Sequence, residues 1–248
     1  MSYFKNFPKI FYTFGDGSES VLTQNITAYA EVLDEVKSAA SFYQDYYIRD
    51  GERPDHVATV LYDNPELHWV FYLMNDKIRE RGWPLKNSEL ATKILEDFPN
   101  ITLIADDPEL YNKFQVGQFV VGFTADPDEP TAAAKIIHRD LSLGQIIIEV
   151  FNGSFTNVTH VTSQTISGYE TIDRVTVVNE YNAPHHYVNA DGEWVDINPF
   201  EGPSEFDIPV TNAEHYIYEN DAMRRIQVLR PANVNQVIKA FRDAVKSQ

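Results

Sequence analysis

The sequence has 248 residues, 43% of them hydrophobic, with 37 acidic against 20 basic residues and a net charge of -17. Such a chain can bury a core, and its negative field repels phosphate backbones and anionic lipid headgroups, which argues against nucleic acid and membrane partners. The lack of cysteine excludes disulfides, thiol catalysis and cysteine-ligated zinc, as expected for folding in a reducing cytoplasm. Lys5, Pro8 and Lys9 interrupt the apolar run that a secretion signal needs, so export by that route is not expected.

Residues 1–45 are predicted to form an aromatic arm followed by an amphipathic helix. The arm is broken by Pro8, ends at Gly15-Asp16-Gly17, and contains Tyr3, Phe4, Phe7, Phe11, Tyr12 and Phe14. The helix is predicted over residues 24–43, where apolar side chains recur at helical spacing. The arm is expected to pack either on its own domain or on a neighbouring subunit.

Residues 46–85 contain a denser pattern. A short strand, Tyr46 to Ile48, and an Asp50-Gly51 turn are predicted ahead of a helix that Pro54 opens, with three residues facing inward: Val57, Val60 and Leu61. Asn64-Pro65 then predicts a second helix, because asparagine caps free N–H groups and proline lacks the one that would be orphaned.

The second helix is predicted to end near Asn75 and to be apolar on two faces. One face carries Leu67, Val70, Phe71 and Met74, and the other carries Trp69, Tyr72 and Leu73. A helix of this kind is normally buried on more than one side. Its second face is expected to meet either another part of this chain or a partner.

From about residue 114 to 200 the pattern changes to strands. Runs rich in Val, Ile, Phe and Tyr predict an all-β module of five or more strands: FQVGQFVVGF, KIIHRDL, QIIIEVF, DRVTVVNEY and HHYVNADGEWVDI. Asp191-Gly192 predicts a hairpin in the last run. Beyond it, Arg225 to Leu229 predicts a strand, and Asn233 precedes a final amphipathic helix.

Residues that could carry chemistry are few. His138-Arg139-Asp140-Leu141 resembles the start of a kinase catalytic loop, but Gln145 stands where that loop needs asparagine, and the motif is predicted to end a strand. His185 and His186 are neighbours, and because side chains alternate along a strand they are not expected to share an ion, although Asp191, Glu193 or His215 could complete a metal site. No catalytic residue, metal or cofactor is predicted. An enzyme with a metal site around His185 is kept as a further hypothesis, after the two functions that are described below.

The stretch RPDHVATVLYDNPELHWVFYLMND, preceded by FYQDYYIRDGE and followed by Trp83-Pro84-Leu85, resembles the LysM-like segment of the baseplate wedge subunit of T-even-type phages. The shared pattern is a tyrosine-rich strand, a Gly, then Arg-Pro, Leu-Tyr, Asn-Pro, Trp-Val and Asn-Asp. The aromatic arm with its following helix is similar to the same family, and so is the final segment from about Asn212 through ENDAMRRIQVL to the amphipathic end. The β-rich middle is larger than in that family and is interpreted as an insertion.

The patterns and the resemblance together imply an α+β protein in four segments. These are an aromatic arm and amphipathic helix at residues 1–45, a LysM-like βααβ module at 46–110, a β-rich domain at 111–205, and a strand-helix segment at 206–248. The β-rich domain is expected to be a small barrel or sandwich.

The resemblance also implies a function without catalysis. The chain would be a structural component of the tail baseplate of the virion, assembled in the host cytoplasm, that connects wedge proteins and clamps adjacent wedges around the hub. Its partners would be other wedge proteins and neighbouring wedges, with hub or sheath-proximal tail proteins as further contacts. No cofactor, nucleic acid or membrane is implied.

Seven residues are expected to dock partners, because Tyr, Trp and Arg dominate interface hot spots: Tyr46, Tyr47, Arg53, Tyr62, Trp69, Tyr72 and Trp83. Replacing Trp69 or Arg53 by alanine is expected to leave soluble protein that assembles poorly. The alternative function is a LysM-type peptidoglycan-binding module of a cell-wall-associated protein. Against it, Gly51-Glu52-Arg53-Pro54 replaces the Gly-Asp-Thr typical of wall-binding copies.

Overall fold

The computed structural model describes residues 9–13, 15, 19–24, 43–105, 110, 112–125, 130–166 and 168–246. The chain divides into two compact units. Residues 1–87 and 219–248 form the first, and residues 88–218 form the second, which is thus inserted into the sequence of the first. The mixture of helices and strands agrees with the predicted α+β class. The division into four segments stays a prediction.

The elements before the insertion are, in chain order, β1 (Lys9–Tyr12), β2 (Val21–Gln24), β3 (Tyr43–Tyr47), α1 (Pro54–Tyr62), a 3-10 helix (Pro65–His68), α2 (Trp69–Met74) and α3 (Asp76–Arg81). Next are α4 (Asn87–Asp97), β4 (Ile101–Ile104), β5 (Phe119–Phe123), β6 (Pro130–Asp140), β7 (Gln145–Gly153), β8 (His160–Thr165), β9 (Gly168–Ile172), β10 (Thr176–Asn179), a 3-10 helix (Glu180–Asn182), β11 (Pro184–Val188), β12 (Trp194–Val195) and β13 (Ile208–Thr211). The last are α5 (Asn212–Arg224), β14 (Arg225–Leu229) and α6 (Val234–Lys246).

Two helix starts follow from the local sequence. Pro54 occupies the first turn of α1, where its missing N–H costs no hydrogen bond. Asn64 has an extended backbone, and its side-chain oxygen accepts a hydrogen bond from the backbone N–H of Glu66 at 3.0 Å. This cap starts the 3-10 helix that leads into α2. The predicted break at Asn64-Pro65 and the helix end near Asn75 are therefore confirmed.

The sheet of the first unit joins distant parts of the sequence. β3 pairs antiparallel with β14, from Tyr47 opposite Arg225 to Tyr43 opposite Leu229. The predicted strand at Arg225 to Leu229 is thus confirmed, and it lies beside the strand that precedes α1. A separate antiparallel hairpin is formed by β1 and β2.

Helix α2 is buried on two sides by this chain itself. One cluster joins Phe71 to buried residues of α1, α3 and β14: Val57, Ala58, Ile78, Ile226 and Val228. The other joins Val70, Leu73 and Met74 to Leu229 and to the apolar face of α6: Val234, Val237, Ile238 and Phe241. Both apolar sides of the helix therefore meet other parts of the same chain. The predicted division of the two faces was wrong, because Phe71 lies with Tyr72 in the first cluster, and Trp69 and Leu73 lie in the second cluster with Leu67, Val70 and Met74.

One predicted side-chain orientation in this unit is wrong. Val60 was predicted to face inward, but it is 65% exposed, because the buried side of α1 is centred on Val57, Ala58 and Leu61 and Val60 lies about 100° around the helix from it. The helix predicted over residues 24–43 lies outside the described residues, except that Gln24 ends β2 and Tyr43 begins β3.

The second unit is rich in β structure, as predicted. It contains a seven-stranded antiparallel sheet in the order β10-β4-β7-β6-β5-β8-β9 and a three-stranded sheet in the order β12-β11-β13. The larger sheet curls into half a barrel, where the sequence predicted a small barrel or a sandwich. One contiguous core covers it, including Leu103, Phe114, Val120, Ile136, Ile146, Ile148 and Val161. Each of the five predicted runs overlaps a strand, and β4, β8, β9 and β13 were not predicted.

Within the part of the chain that the structure describes, no helix is both long and apolar enough to cross a membrane.

Candidate docking surface and histidine cluster

The seven predicted docking residues all lie in the first unit, and two of them are largely exposed. Tyr47, at the end of β3, is 61% exposed, and the side chain of Arg53, just before α1, is 80% exposed. The Nε atom of Arg53 lies 3.2 Å from Oδ1 of Asp55. An exposed pair of this kind contributes less than about 1 kcal/mol, so it holds the guanidinium only weakly.

Tyr46 and Trp83 fix the turn that follows β3. The Nε1–H of Trp83 donates to the backbone carbonyl of Glu52 at 2.7 Å, and the hydroxyl of Tyr46 donates to Oε2 of Glu52 at 3.1 Å. Burial, followed by this hydrogen bond, raises the pKa of Tyr46. The Trp83 ring lies 5.8 Å from the Phe71 ring and 6.1 Å from the Tyr72 ring. Both side chains thus have structural contacts within the unit.

Tyr62 and Trp69 contact the C-terminal elements. The hydroxyl of Tyr62 donates to the backbone carbonyl of Leu229 at 3.1 Å, and its ring stacks on Phe71 at 5.8 Å. Burial raises the pKa of Tyr62. The ring of Trp69 lies 5.4 Å from the ring of Phe241 in α6. These rings stabilise the packing of β14 and α6 on the rest of the unit.

Sequence reasoning missed Asn75, whose side chain holds the strand β14. Its Oδ1 atom accepts the backbone N–H of Gln227 at 2.7 Å, and its Nδ2 atom donates to the backbone carbonyl of Gln227 at 2.8 Å. The side chain therefore pairs with the backbone of β14 as a neighbouring strand would. The Asn-Asp pair of the family pattern, Asn75-Asp76 here, was the available signal.

Sequence reasoning also missed a buried polar cluster at the end of α5. The Nη2 atom of Arg224 donates to Oδ1 of Asp50 at 3.0 Å, to the carbonyl of Leu85 at 3.1 Å and to Oδ1 of Asn87 at 3.0 Å. Asn220, which is 2% exposed, exchanges two hydrogen bonds with the backbone of Leu85, at 2.7 and 3.1 Å. The backbone N–H of Asn87, and after it Arg224, lowers the pKa of Asp50. ENDAMRRIQVL contains both Asn220 and Arg224, so that motif was the signal.

In the second unit, the predicted hairpin is confirmed and carries a tryptophan next to histidines. β11 and β12 pair around Asp191-Gly192, with Val188 opposite Trp194. The Trp194 ring stacks on the ring of His186, with centroids 3.8 Å apart and planes 10° apart.

A β-bulge brings His185 and His186 together. Pro184 lies opposite Thr211 and His186 opposite Val210, so His185 is an extra residue in β11 relative to β13. A bulge changes the direction in which the inserted side chain points, so side chains no longer alternate strictly between the two faces of the strand. The Nδ1 atoms of His185 and His186 consequently lie 3.0 Å apart. The expectation that side-chain alternation separates these two rings is therefore wrong at the bulge.

His215, in the first turn of α5, completes the histidine cluster of His185, His186 and His215. Its ring stacks on the ring of His185 at 3.9 Å, with planes 14° apart. His186 is buried, and the other two are half-buried. Burial, followed by the two neighbouring histidines, lowers the pKa of His186. Asp191 and Glu193, also considered from the sequence, belong instead to the hairpin turn, where Asn189 bonds to both.

The kinase-like motif ends a strand, as predicted. Arg139, near the end of β6, donates to the backbone carbonyls of Leu110 at 3.1 Å and Lys113 at 2.6 Å. Oδ1 of Asp140 accepts the backbone N–H of Ser142 at 3.0 Å. Both side chains stabilise the local turn and strand.

A surface cavity of about 640 Å³ lies beside β10 and the end of β7. Its lining is made of apolar, hydroxyl and amide residues: Ile101, Val150, Gly153, Ser154, Phe155, Thr156, Asn157, Val177, Val178, Asn179 and Asn182. This lining contributes no acid, base or cationic side chain.

Comparison with known proteins agrees with the predicted family. Residues 4–102 match the family of phage proteins described as Base plate wedge protein 53. Baseplate wedge protein gp53 of Enterobacteria phage T4 is 26% identical over 100 residues, which are 39% of this chain and 50% of that protein. The chain thus covers about half the length of this curated relative. The family match includes β3, α1, α2 and α3, and it ends before most of the second unit.

Proposed function

We propose that the chain is a structural wedge subunit of a contractile phage tail baseplate. It connects wedge proteins and clamps neighbouring wedges around the hub through protein contacts, and it is assembled into the virion from the host cytoplasm. The observation that carries this proposal is the family match over residues 4–102, which contains all seven predicted docking residues.

The β3-α1-α2-β14 arrangement supports a LysM-like module used for protein contact. Its two strands are paired, and Phe71 of α2 and Val57 of α1 lie in one core cluster with Ile226 and Val228 of β14. On this proposal the second strand of the module is β14 and not a strand within residues 46–110, where the sequence analysis placed the whole module. The module is then built from two parts of the sequence.

Tyr47 and Arg53 are the strongest candidates for contact with a partner, because most of each side chain is exposed. A tyrosine ring buries a large area at low entropic cost, and a guanidinium forms forked, charge-assisted bonds to carboxylates. The other five remain in the proposed set because each is only partly buried: Tyr46, Tyr62, Trp69, Tyr72 and Trp83.

The β1-β2 hairpin supports a second contact. Its apolar side chains are exposed on both strands: Ile10 at 38%, Phe11 at 75%, Tyr12 at 51%, Val21 at 50% and Leu22 at 50%. Grouped apolar side chains of this kind are typical of surfaces that bind proteins. We propose that this arm docks on a neighbouring baseplate protein.

The proposal can be tested in the phage that encodes the chain, with the gene deleted and the full chain supplied in the host. Tyr47→Ala and Arg53→Ala are each expected to give soluble protein and at least about a tenfold loss of infectious particles, since hot-spot residues contribute about 2 kcal/mol or more. Electron microscopy of the lysates is expected to show incomplete baseplates.

Matched controls are Tyr169→Ala and Arg174→Ala, which change exposed residues of the second unit. They are expected to support assembly at the wild-type level. The docking surface is rejected if the controls and the test variants behave alike. Absence of the wild-type chain from purified particles, or its saturable binding to purified peptidoglycan, would favour the wall-binding alternative.

A further inference from the structure

The histidine cluster combines three imidazoles from two elements of the second unit. Among the described residues, His185, His186 and His215 each offer a ring nitrogen, and these nitrogens lie within 4.8 Å of one another. Two come from the bulge in β11 and one from the first turn of α5. The wedge proposal makes no use of this group.

Hydrogen bonds from backbone and side-chain groups hold β11 and the start of α5 next to each other. The backbone N–H of Asn212, at the start of α5, donates to the carbonyl of Ala183 at 3.0 Å, and its side-chain amide donates to the carbonyl of Glu180 at 2.7 Å. The side-chain amide of Gln145 in β7 donates to the backbone carbonyl of Pro184, the first residue of β11, at 2.7 Å. The backbone that carries the three rings is therefore held by hydrogen bonds outside the cluster. The ring of His215, which stacks on that of His185 with planes 14° apart, has to rotate to point a nitrogen at the same ion.

Two of the three rings already meet at their nitrogen atoms. The rings of His185 and His186 are nearly perpendicular, at 87°, and their Nδ1 edges face each other. At their separation of 3.0 Å one Nδ1–H donates a hydrogen bond to the other Nδ1, and an ion bound between them would take the place of that hydrogen. Around tetrahedral zinc, with Zn–N bonds of about 2.0–2.1 Å, ligand nitrogens lie roughly 3.3 Å apart. The observed 3.0 Å between the two Nδ1 atoms is close to that separation.

We infer that His185, His186 and His215 bind one Zn²⁺ ion or a divalent ion of similar preference. Imidazole nitrogen suits zinc, copper and nickel rather than magnesium or calcium. Three protein ligands leave a fourth position for water, which the half-buried His185 and His215 allow to enter. Trp194 covers one face of His186, and the net charge of -17 attracts cations to the protein. The bound ion would fasten the start of α5 to the bulge in β11.

The experiment uses the full chain with any affinity tag removed, titrated with zinc sulphate by calorimetry and with cobalt chloride by visible absorption. The expected result is one ion per chain and the absorption of tetrahedral cobalt. His215→Gln and His185→Gln are each expected to weaken binding by more than about tenfold, because loss of even a supporting residue costs that much. Zinc is also expected to raise the melting temperature of the wild-type chain, since it binds the folded state, and magnesium is not.

The matched control is His138→Gln, an exposed histidine of β6 in the same unit, which is expected to bind like the wild type. Circular dichroism checks that each variant is folded; if His215→Gln is not, the half-buried His185→Gln decides. The inference is overturned if the wild-type chain binds no stoichiometric zinc, if both cluster variants retain it, or if the control loses it equally.

Discussion

Two arginines of the first unit show how one residue type takes opposite roles. The Arg224 side chain is 5% exposed and bonds to the turn after β3 and to residues 85–87, whereas the Arg53 side chain is 80% exposed. A buried cation is costly unless it is paired, and both Nη2 and Nε of Arg224 have acidic or carbonyl partners. Arg224 therefore stabilises the fold, while Arg53 remains accessible to a partner.

Arg224→Ala is expected to lower the free energy of unfolding by about 3 kcal/mol, because it leaves Asp50 and the Leu85 carbonyl without this donor. Arg53→Ala is expected to change it by less than about 0.5 kcal/mol. Urea denaturation followed by circular dichroism measures both. Equal effects of the two substitutions would contradict the assigned roles.

At the scale of elements, β14 organises the first unit. It pairs with β3 on one edge, and Asn75 bonds to the backbone of Gln227. Leu229 contributes both its side chain to the cluster with α6 and its carbonyl to the hydroxyl of Tyr62. Helices α1 and α2 are thus held against a strand that follows them by an entire inserted unit.

Asn75→Ala is expected to destabilise the first unit by about 2 kcal/mol, since it removes both side-chain bonds to Gln227. The amide of Gln227 is expected to exchange faster with deuterium, which mass spectrometry of peptic peptides can follow. Asn152→Ala, which changes an exposed asparagine of β7 in the second unit, is the control and is expected to leave that amide unchanged. Unchanged protection of Gln227 in Asn75→Ala would show that the side chain does not hold the strand.

Element prediction succeeded where the signal was local. The starts of α1 and of the 3-10 helix follow from Pro54 and Asn64, and the apolar face of α6 was visible as Val234, Val237, Ile238 and Phe241. β8 was missed because HVTSQT has few apolar residues, and β13 because it contains a proline. Such strands form because neighbouring strands pair with them.

At the scale of the whole molecule, the net charge limits which classes of molecule the protein is expected to bind. The net charge of -17 makes the long-range potential negative, so basic protein surfaces are favoured and polyanions are repelled. This agrees with a protein that binds other proteins in an assembly. It also makes the rate of association sensitive to salt.

The full chain is expected to bind duplex DNA with a dissociation constant above about 10⁻⁴ M, which is the weak end of ordinary non-specific binding. A mobility-shift titration at physiological salt measures this, with a basic DNA-binding protein as the positive control. A shifted band at micromolar protein would mean that a local basic patch overrides the net charge, and the expected partner class would be wrong.

The sequence by itself determined the α+β class, helix α1, the Asn64-Pro65 start of the segment that leads into α2, strand β14, helix α6, and the likeness to baseplate wedge proteins. These depend on residues close together in the chain or on a motif in fixed order. Only the tertiary structure decided that β14 pairs with β3, that Arg224 reaches Asp50, and that a bulge brings His185 to His186 beside His215. Pairing and burial between distant segments depend on the free energy of the whole fold, which local spacing does not contain.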